Sequence, residues 1–199
     1  MSHSSPLGHR LVAGSALSIM CLLSVGLAAS QNPLAKWFGG DKNTSYQTFK
    51  DPSGRFEIDY PAKDWKPLPS GGSSLAVFSG KDGPTLFVDH LRLEEPLTPD
   101  EIGAMPEVEV ARLREQQPKV KDFKADRVDS KAGRGVIIQY SRIGTVPESV
   151  MQLSILVGPQ DLYRLNGIVP DKVLPKYGSM ILHMIQSFKA QPDPSAAKN

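Results

Sequence analysis

Four runs of alternating residues, at about 123–130, 135–143, 149–157 and 162–169, constrain this chain more than any other feature. Within the third, Met151, Leu153, Ile155 and Val157 alternate with Val150, Gln152, Ser154 and Leu156, the period of two that a strand imposes. The connections 131–134, 144–148 and 158–161 are short and all carry glycine, which suits hairpins between antiparallel neighbours. The spacing therefore predicts an antiparallel meander. Its middle strands are nearly apolar on one face and mixed on the other.

The rest of the chain supplies what such a sheet packs against. Val173, Tyr177, Met180, Ile181, Met184 and Phe188 fall within about 80° of one another at helical spacing. This predicts a strongly amphipathic last helix, opened by Pro170 and N-capped by Asp171. Upstream, Asp51-Pro52-Ser53-Gly54 has turn chemistry, and Phe56, Ile58 and Tyr60 alternate with Arg55, Glu57 and Asp59 as in a half-buried strand. Pro61 ends that strand and Trp65 anchors the chain just beyond it. Leu75–Ser79 reads as a short apolar strand. In Thr85–Leu93, Leu86 and Val88 lie on one face and Phe87, Leu91 and Leu93 on the other, which predicts a strand covered from both sides. Thr98-Pro99-Asp100-Glu101 has capping-box spacing. Gly103 and Pro106 interrupt the stretch beyond it. We therefore expect a short turn, then a weakly amphipathic helix from about Met105 to Gln117, with Val108, Ala111 and Leu113 as its stripe and Pro118 ending it.

Residues 1–30 read as a signal peptide: Arg10 in a short polar start, an uncharged Leu11–Ala29, and Ala28-Ala29-Ser30 before a cleavage point at Gln31. An uncleaved membrane anchor is the alternative, against which Gly14, Ser15, Ser18, Ser24 and Gly26 dilute the apolar run. Cleavage removes Cys21, the single cysteine, and with it thiolate and disulfide chemistry. It also lowers the formal charge from +2 to about +1, a balance that argues against nucleic acid as partner. Residues 31–45 read as a linker whose Trp37-Phe38 pair can touch the domain or a membrane surface, 46–190 as the folded domain, and 191–199 as a disordered tail too polar and proline-rich to pack.

Reactive constellations are sparse. There is no Gly-x-Ser-x-Gly elbow, no phosphate-binding glycine loop and no zinc-type His/Cys cluster. Asp89, His90 and His183 are the metal-site candidates, although Asp89 and His90, adjacent on a strand, point to opposite faces. His183 falls about 130° from the centre of the last helix's stripe, on its solvent side. Glu94, Glu95, Asp100, Glu101, Glu107 and Glu109 could gather loosely around a hard cation such as calcium, or form a solvated, helix-capping face. The alternating charges Lys119, Lys121, Asp122, Lys124, Asp126 and Arg127 read as a sheet edge protected by charge.

Residues 46–189 resemble the PsbP/Mog1 family. The resemblance is carried by Asp-Pro-Ser-Gly-Arg-Phe-Glu-Ile-Asp-Tyr-Pro-Ala-Lys-Asp-Trp at 51–65, Leu86-Phe87-Val88-Asp89-His90-Leu91, the run 96–103, and Ile185-Gln186-Ser187-Phe188-Lys189. It implies an α+β fold, a three-layer α/β/α sandwich around a central, mainly antiparallel sheet. The family's best-known members are extrinsic lumenal subunits of photosystem II that help retain calcium and chloride. Another branch binds a small GTPase, and many members are exported bacterial proteins. The family shares a binding scaffold and no common active site. What it implies here is an exported, non-enzymatic binding or accessory domain, periplasmic or extracellular, docking to an envelope or membrane-associated protein and needing no cofactor. The alternatives are a photosystem II subunit of the thylakoid lumen with a calcium-related role, or a hydrolase using carboxylates such as Glu95 and Asp100. The photosystem subunits dock through a basic N-terminal segment, and here residues 31–48 hold only Lys36 and Lys42 with Asp41 between them.

Overall fold

The computed structural model describes residues 37, 43–69, 74–117, 119–130 and 133–190. The signal segment with Cys21, most of the 31–45 linker including Phe38, Pro118 and the 191–199 tail lie outside the described residues. Among the described residues, ten strands and two helices succeed one another: β1 Tyr46–Lys50, β2 Phe56–Pro61, β3 Trp65–Leu68, β4 Ser74–Gly80, β5 Thr85–Arg92, α1 Pro99–Gln116, β6 Val120–Ser130, β7 Gly133–Arg142, β8 Glu148–Val157, β9 Asp161–Pro170, α2 Leu174–Ser187 and β10 Lys189–Ala190. A 3-10 turn at Asp171–Val173 leads into α2. Among the described residues no helix is long and apolar enough to cross a membrane.

The predicted meander forms the end of a seven-stranded sheet of order β3-β4-β5-β9-β8-β7-β6, while β1, β2 and β10 form a small second sheet. Every pairing is antiparallel. The charged run does fall on an edge strand, β6, which also carries a bulge at Lys121–Lys124 with Asp122 at φ 57°. Charge and bulge together discourage a further strand from adding there.

Alternation divides the apolar residues between two cores. Leu86 and Val88 of β5, Met151, Leu153 and Ile155 of β8, and Tyr163 and Leu165 of β9 pack with Tyr177, Ile181 and Met184 of α2, and with Phe56 and Ile58 of β2. Residues of the opposite parity, including Val136, Ile138, Tyr140, Val150 and Leu162, form the second core with Met105 and Leu113 of α1. Trp37, within the segment read as a linker, is fully buried in the first core. Gly167 lets α2 seat closely on β9, since a Cβ there would lie 2.2 Å from Cγ2 of Ile181.

Three local expectations need correction. The structure has one continuous helix from Pro99, running through Pro106, in place of a turn and a later helix. A complete Thr98/Glu101 capping box fixes its start, and the Gly103 carbonyl accepts from Arg127 Nη2 at 2.8 Å. Next, the buried side of α1 is Met105, Pro106, Glu109 and Leu113, whereas Val108 and Ala111 face solvent. Finally, Asp171 does not cap α2. Its carboxylate accepts from Ser149 Oγ at 2.7 Å, Val173 occupies the cap position without a side-chain bond, and Pro175 lies in the first turn.

Candidate functional site

The residues nominated from sequence do not converge. Asp89 accepts from Ser74 Oγ at 2.6 Å and from Asn166 Nδ2 at 3.4 Å. His90 points to the opposite face, as expected, and its Nε2 lies 3.0 Å from Oδ1 of the buried Asp161, with the ring against Tyr163. Arg92 Nη1 donates to the same Asp161 oxygen at 3.3 Å, so that carboxylate acts as acceptor and Nε2 of His90 carries the proton. The pair fastens the ends of β5 and β9. His183 is half-buried, its ring stacked on Tyr46 at 3.8 Å, in place of the open position expected on the solvent side. A calcium site needs about six converging oxygens. Among the described residues no three His, Cys, Asp or Glu side chains gather as a metal would need, so Asp89, His90 and His183 do not fit a common cation.

The acidic run is also dispersed. Glu94, Glu95, Asp100 and Glu107 are exposed, and Glu101 is used by the capping box, whose hydrogen bonds from Thr98 lower its pKa. Glu109 alone of the run is buried. Its Oε2 accepts from Arg112 Nη2 at 2.8 Å, Arg112 Nε at 3.2 Å and Gln152 Nε2 at 3.0 Å, and its Oε1 from Arg164 Nη2 at 2.9 Å. Burial opposes ionisation, but the hydrogen bonds from Arg112 and the charge of Arg164 outweigh it and hold the carboxyl below the ordinary glutamate value. Nothing in the local sequence marks Glu109 as buried. The readable signal was Arg112, three residues on, and a polar Gln152 and Arg164 on strands otherwise rich in apolar residues.

Glu109 sits where α1 meets the sheet, beside a cleft of about 290 Å³ lined by Arg112, Arg142 and Arg164 among others. The resting place of α1 determines this geometry. It packs mainly over β6 and β7 and reaches β9 through Glu109 and Leu113, leaving β3 and β4 of the same sheet furthest from it. Across the sheet, hydrogen-bonded register places Leu68, Val77, Phe87, Asn166 and Gln152 in one row. Leu68 is 36% exposed, Val77 and Phe87 are half-buried, and Leu91 on the same face is 47% exposed. The prediction of cover on both sides of Thr85–Leu93 therefore holds for Leu86 and Val88 and for Leu93, which packs against the α1 core, holds in part for the half-buried Phe87, and fails for Leu91. An apolar row running into a polar, arginine-lined cleft can bind; it contains no arranged nucleophile and base.

No family model matches the chain, and no curated protein matches it. Among solved structures, the solution structure of cyanobacterial PsbP (CyanoP) from Synechocystis superposes with a TM-score of 0.58, covering 74% of this chain and 93% of that one at 16% identity. The fold is PsbP-like. LpqN of Mycobacterium tuberculosis, described as involved in cell envelope biogenesis, shares it with a TM-score of 0.50 over 76% of this chain and 94% of its own, at 12% identity. At these identities the likeness is one of fold. The PsbP-like scaffold here consists of two helices and two antiparallel sheets, in keeping with the α+β class that the resemblance in sequence implied.

Proposed function

We propose that this chain is an exported accessory domain on a PsbP-like scaffold, with no chemistry of its own, that docks to an envelope or membrane-associated protein through the β3–β4–β5 end of its seven-stranded sheet. The observation that carries this reading is the row Leu68–Val77–Phe87, partly exposed apolar side chains that belong to neither of the two helix-packed cores. Soluble domains rarely leave contiguous apolar rows of this kind without a use for them. The two cores of opposite parity fit a three-layer helix–sheet–helix arrangement, in which the α1 layer is short and lies mainly over β6 and β7. Residues 1–30 act as the export signal in this reading, and the domain works beyond the cytoplasmic membrane.

The test is site-specific photo-crosslinking in living cells. A photoreactive residue at Val77 should join the chain to one envelope protein, while the same residue at the exposed Gln186 on α2 should not. Equal cross-linking from both positions, or none from Val77, would count against docking through this face.

A further inference from the structure

The cleft beside α1 has a chemistry that docking through the apolar row does not use. Of its lining residues, Arg112, Arg142 and Arg164 are cationic and Asp89 is the one acid. Among the described residues, Arg164 makes a single side-chain hydrogen bond, from Nη2 to Glu109, and Arg142 a single one, from Nη2 to Glu148. A guanidinium offers five N–H donors in a fixed fork, so most of each remains uncommitted. The Nε of both arginines is shielded from water and has no acceptor among the described residues. Buried donors without partners are rare in folded proteins, and two in one cleft call for an explanation. Desolvation also makes the remaining charge-assisted donors stronger toward an oxyanion than they would be in open solvent.

The sheet register fixes where these arginines stand. Arg142 pairs across to Glu148 and then Pro170, whereas Arg164 lies six residues earlier on β9, which separates the two rows by about 20 Å along the strands. Long side chains shorten that span but cannot close on one atom. Between the two ends the lining includes the apolar Val150, Ile168 and Leu113, nearer Arg142, and the amides Gln152 and Asn166, nearer Arg164. The cleft is thus elongated, with a guanidinium at each end that already meets one carboxylate, Glu148 at Arg142 and Glu109 at Arg164, and with Asp89 opposite Arg164 on the neighbouring strand. Its volume, about 290 Å³, is at the lower end of those that hold small molecules.

We propose that this cleft binds a small organic dianion of the dicarboxylate class, one carboxylate at Arg142, the other at Arg164, and an aliphatic spacer over Val150 and Ile168. Arg112, committed to Glu109 and Gln116, holds the wall of α1 in place between them. The site adjoins the docking row at Phe87, but ligand binding there does not depend on docking.

Titration of the folded chain with succinate, adipate and suberate, against octanoate and inorganic phosphate, tests this by the Nε–Hε resonances of its arginines in NMR. A dicarboxylate of matching length should shift both the Arg142 and Arg164 signals, and octanoate should bind about tenfold more weakly, having one carboxylate in place of two. In the Arg142→Gln variant, suberate should fall to the affinity of octanoate while the Arg164 signal still responds. Equal binding of octanoate and suberate, a response to phosphate alone, or no response of either arginine in millimolar ligand would overturn the proposal.

Discussion

Glu109 faces the sheet because Arg112 and Arg164 come to meet it, and Gln152 and Ser154 are buried polar partners inside an otherwise apolar layer. Replacing it by glutamine would leave two guanidiniums without their common carboxylate. The arginine side chains are 27% and 25% exposed and can recover some hydration, so the expected loss is about 2 kcal/mol, less than for a fully buried pair. In urea this is a shift of the unfolding midpoint by about 1 M. The pH dependence has a definite sign. Because the folded carboxyl titrates below its ordinary value of 4.5, the interaction contributes fully above that pH and is lost as pH falls through the lowered folded value. The gap between wild type and Glu109→Gln should therefore be widest near neutrality and narrow as the pH falls below 4.5 and through the lowered folded value. A gap that does not change with pH would show that Glu109 acts by packing alone. This residue was not legible as buried in the sequence, because a glutamate on a weakly amphipathic helix reads as solvated until its cationic partners, 55 residues away in one case, are placed beside it.

At the scale of elements, alternation and turn chemistry carried most of the fold. The four meander strands fall within three residues of their expected bounds, because period-2 patterning and glycine turns are local signals. The failures were positional. Asp171 looked like a helix cap but is drawn off by Ser149 of a neighbouring strand, and Pro106 looked like a break but lies inside a continuous helix. The first depends on a contact distant in sequence. The seating of α2 on β9 gives a direct check. Gly167→Ala should destabilise the domain by about 1–3 kcal/mol, since Ile181 would have to move. Adding Ile181→Ala, itself costly, should recover part of that loss, so the pair departs from additivity in a double-mutant cycle. Simple additivity of the two changes would mean that the glycine is required for its backbone and not for the close approach.

For the whole molecule, the division of labour between the two sheet faces matters most. The α2 face is closed by the helix's broad buried side and by the small sheet, with Trp37 added from outside the domain boundary read in the sequence. Among the described residues, α1 covers its face mainly at β6 and β7, with β3 and β4 furthest from it. The sequence showed apolar residues on both sides of β5 but could not show how far α1 covers one of them, because that depends on where an 18-residue helix comes to rest. Docking through the β3–β4–β5 end is tested most directly by photo-crosslinking from Leu68 in a chain carrying Val77→Ser and Phe87→Ser. These side chains are only half-buried, so the double variant should lose about 2 kcal/mol of stability and remain folded. If this end is the docking surface, the cross-linked envelope protein obtained with the unsubstituted row disappears. Undiminished cross-linking from the folded double variant would contradict it.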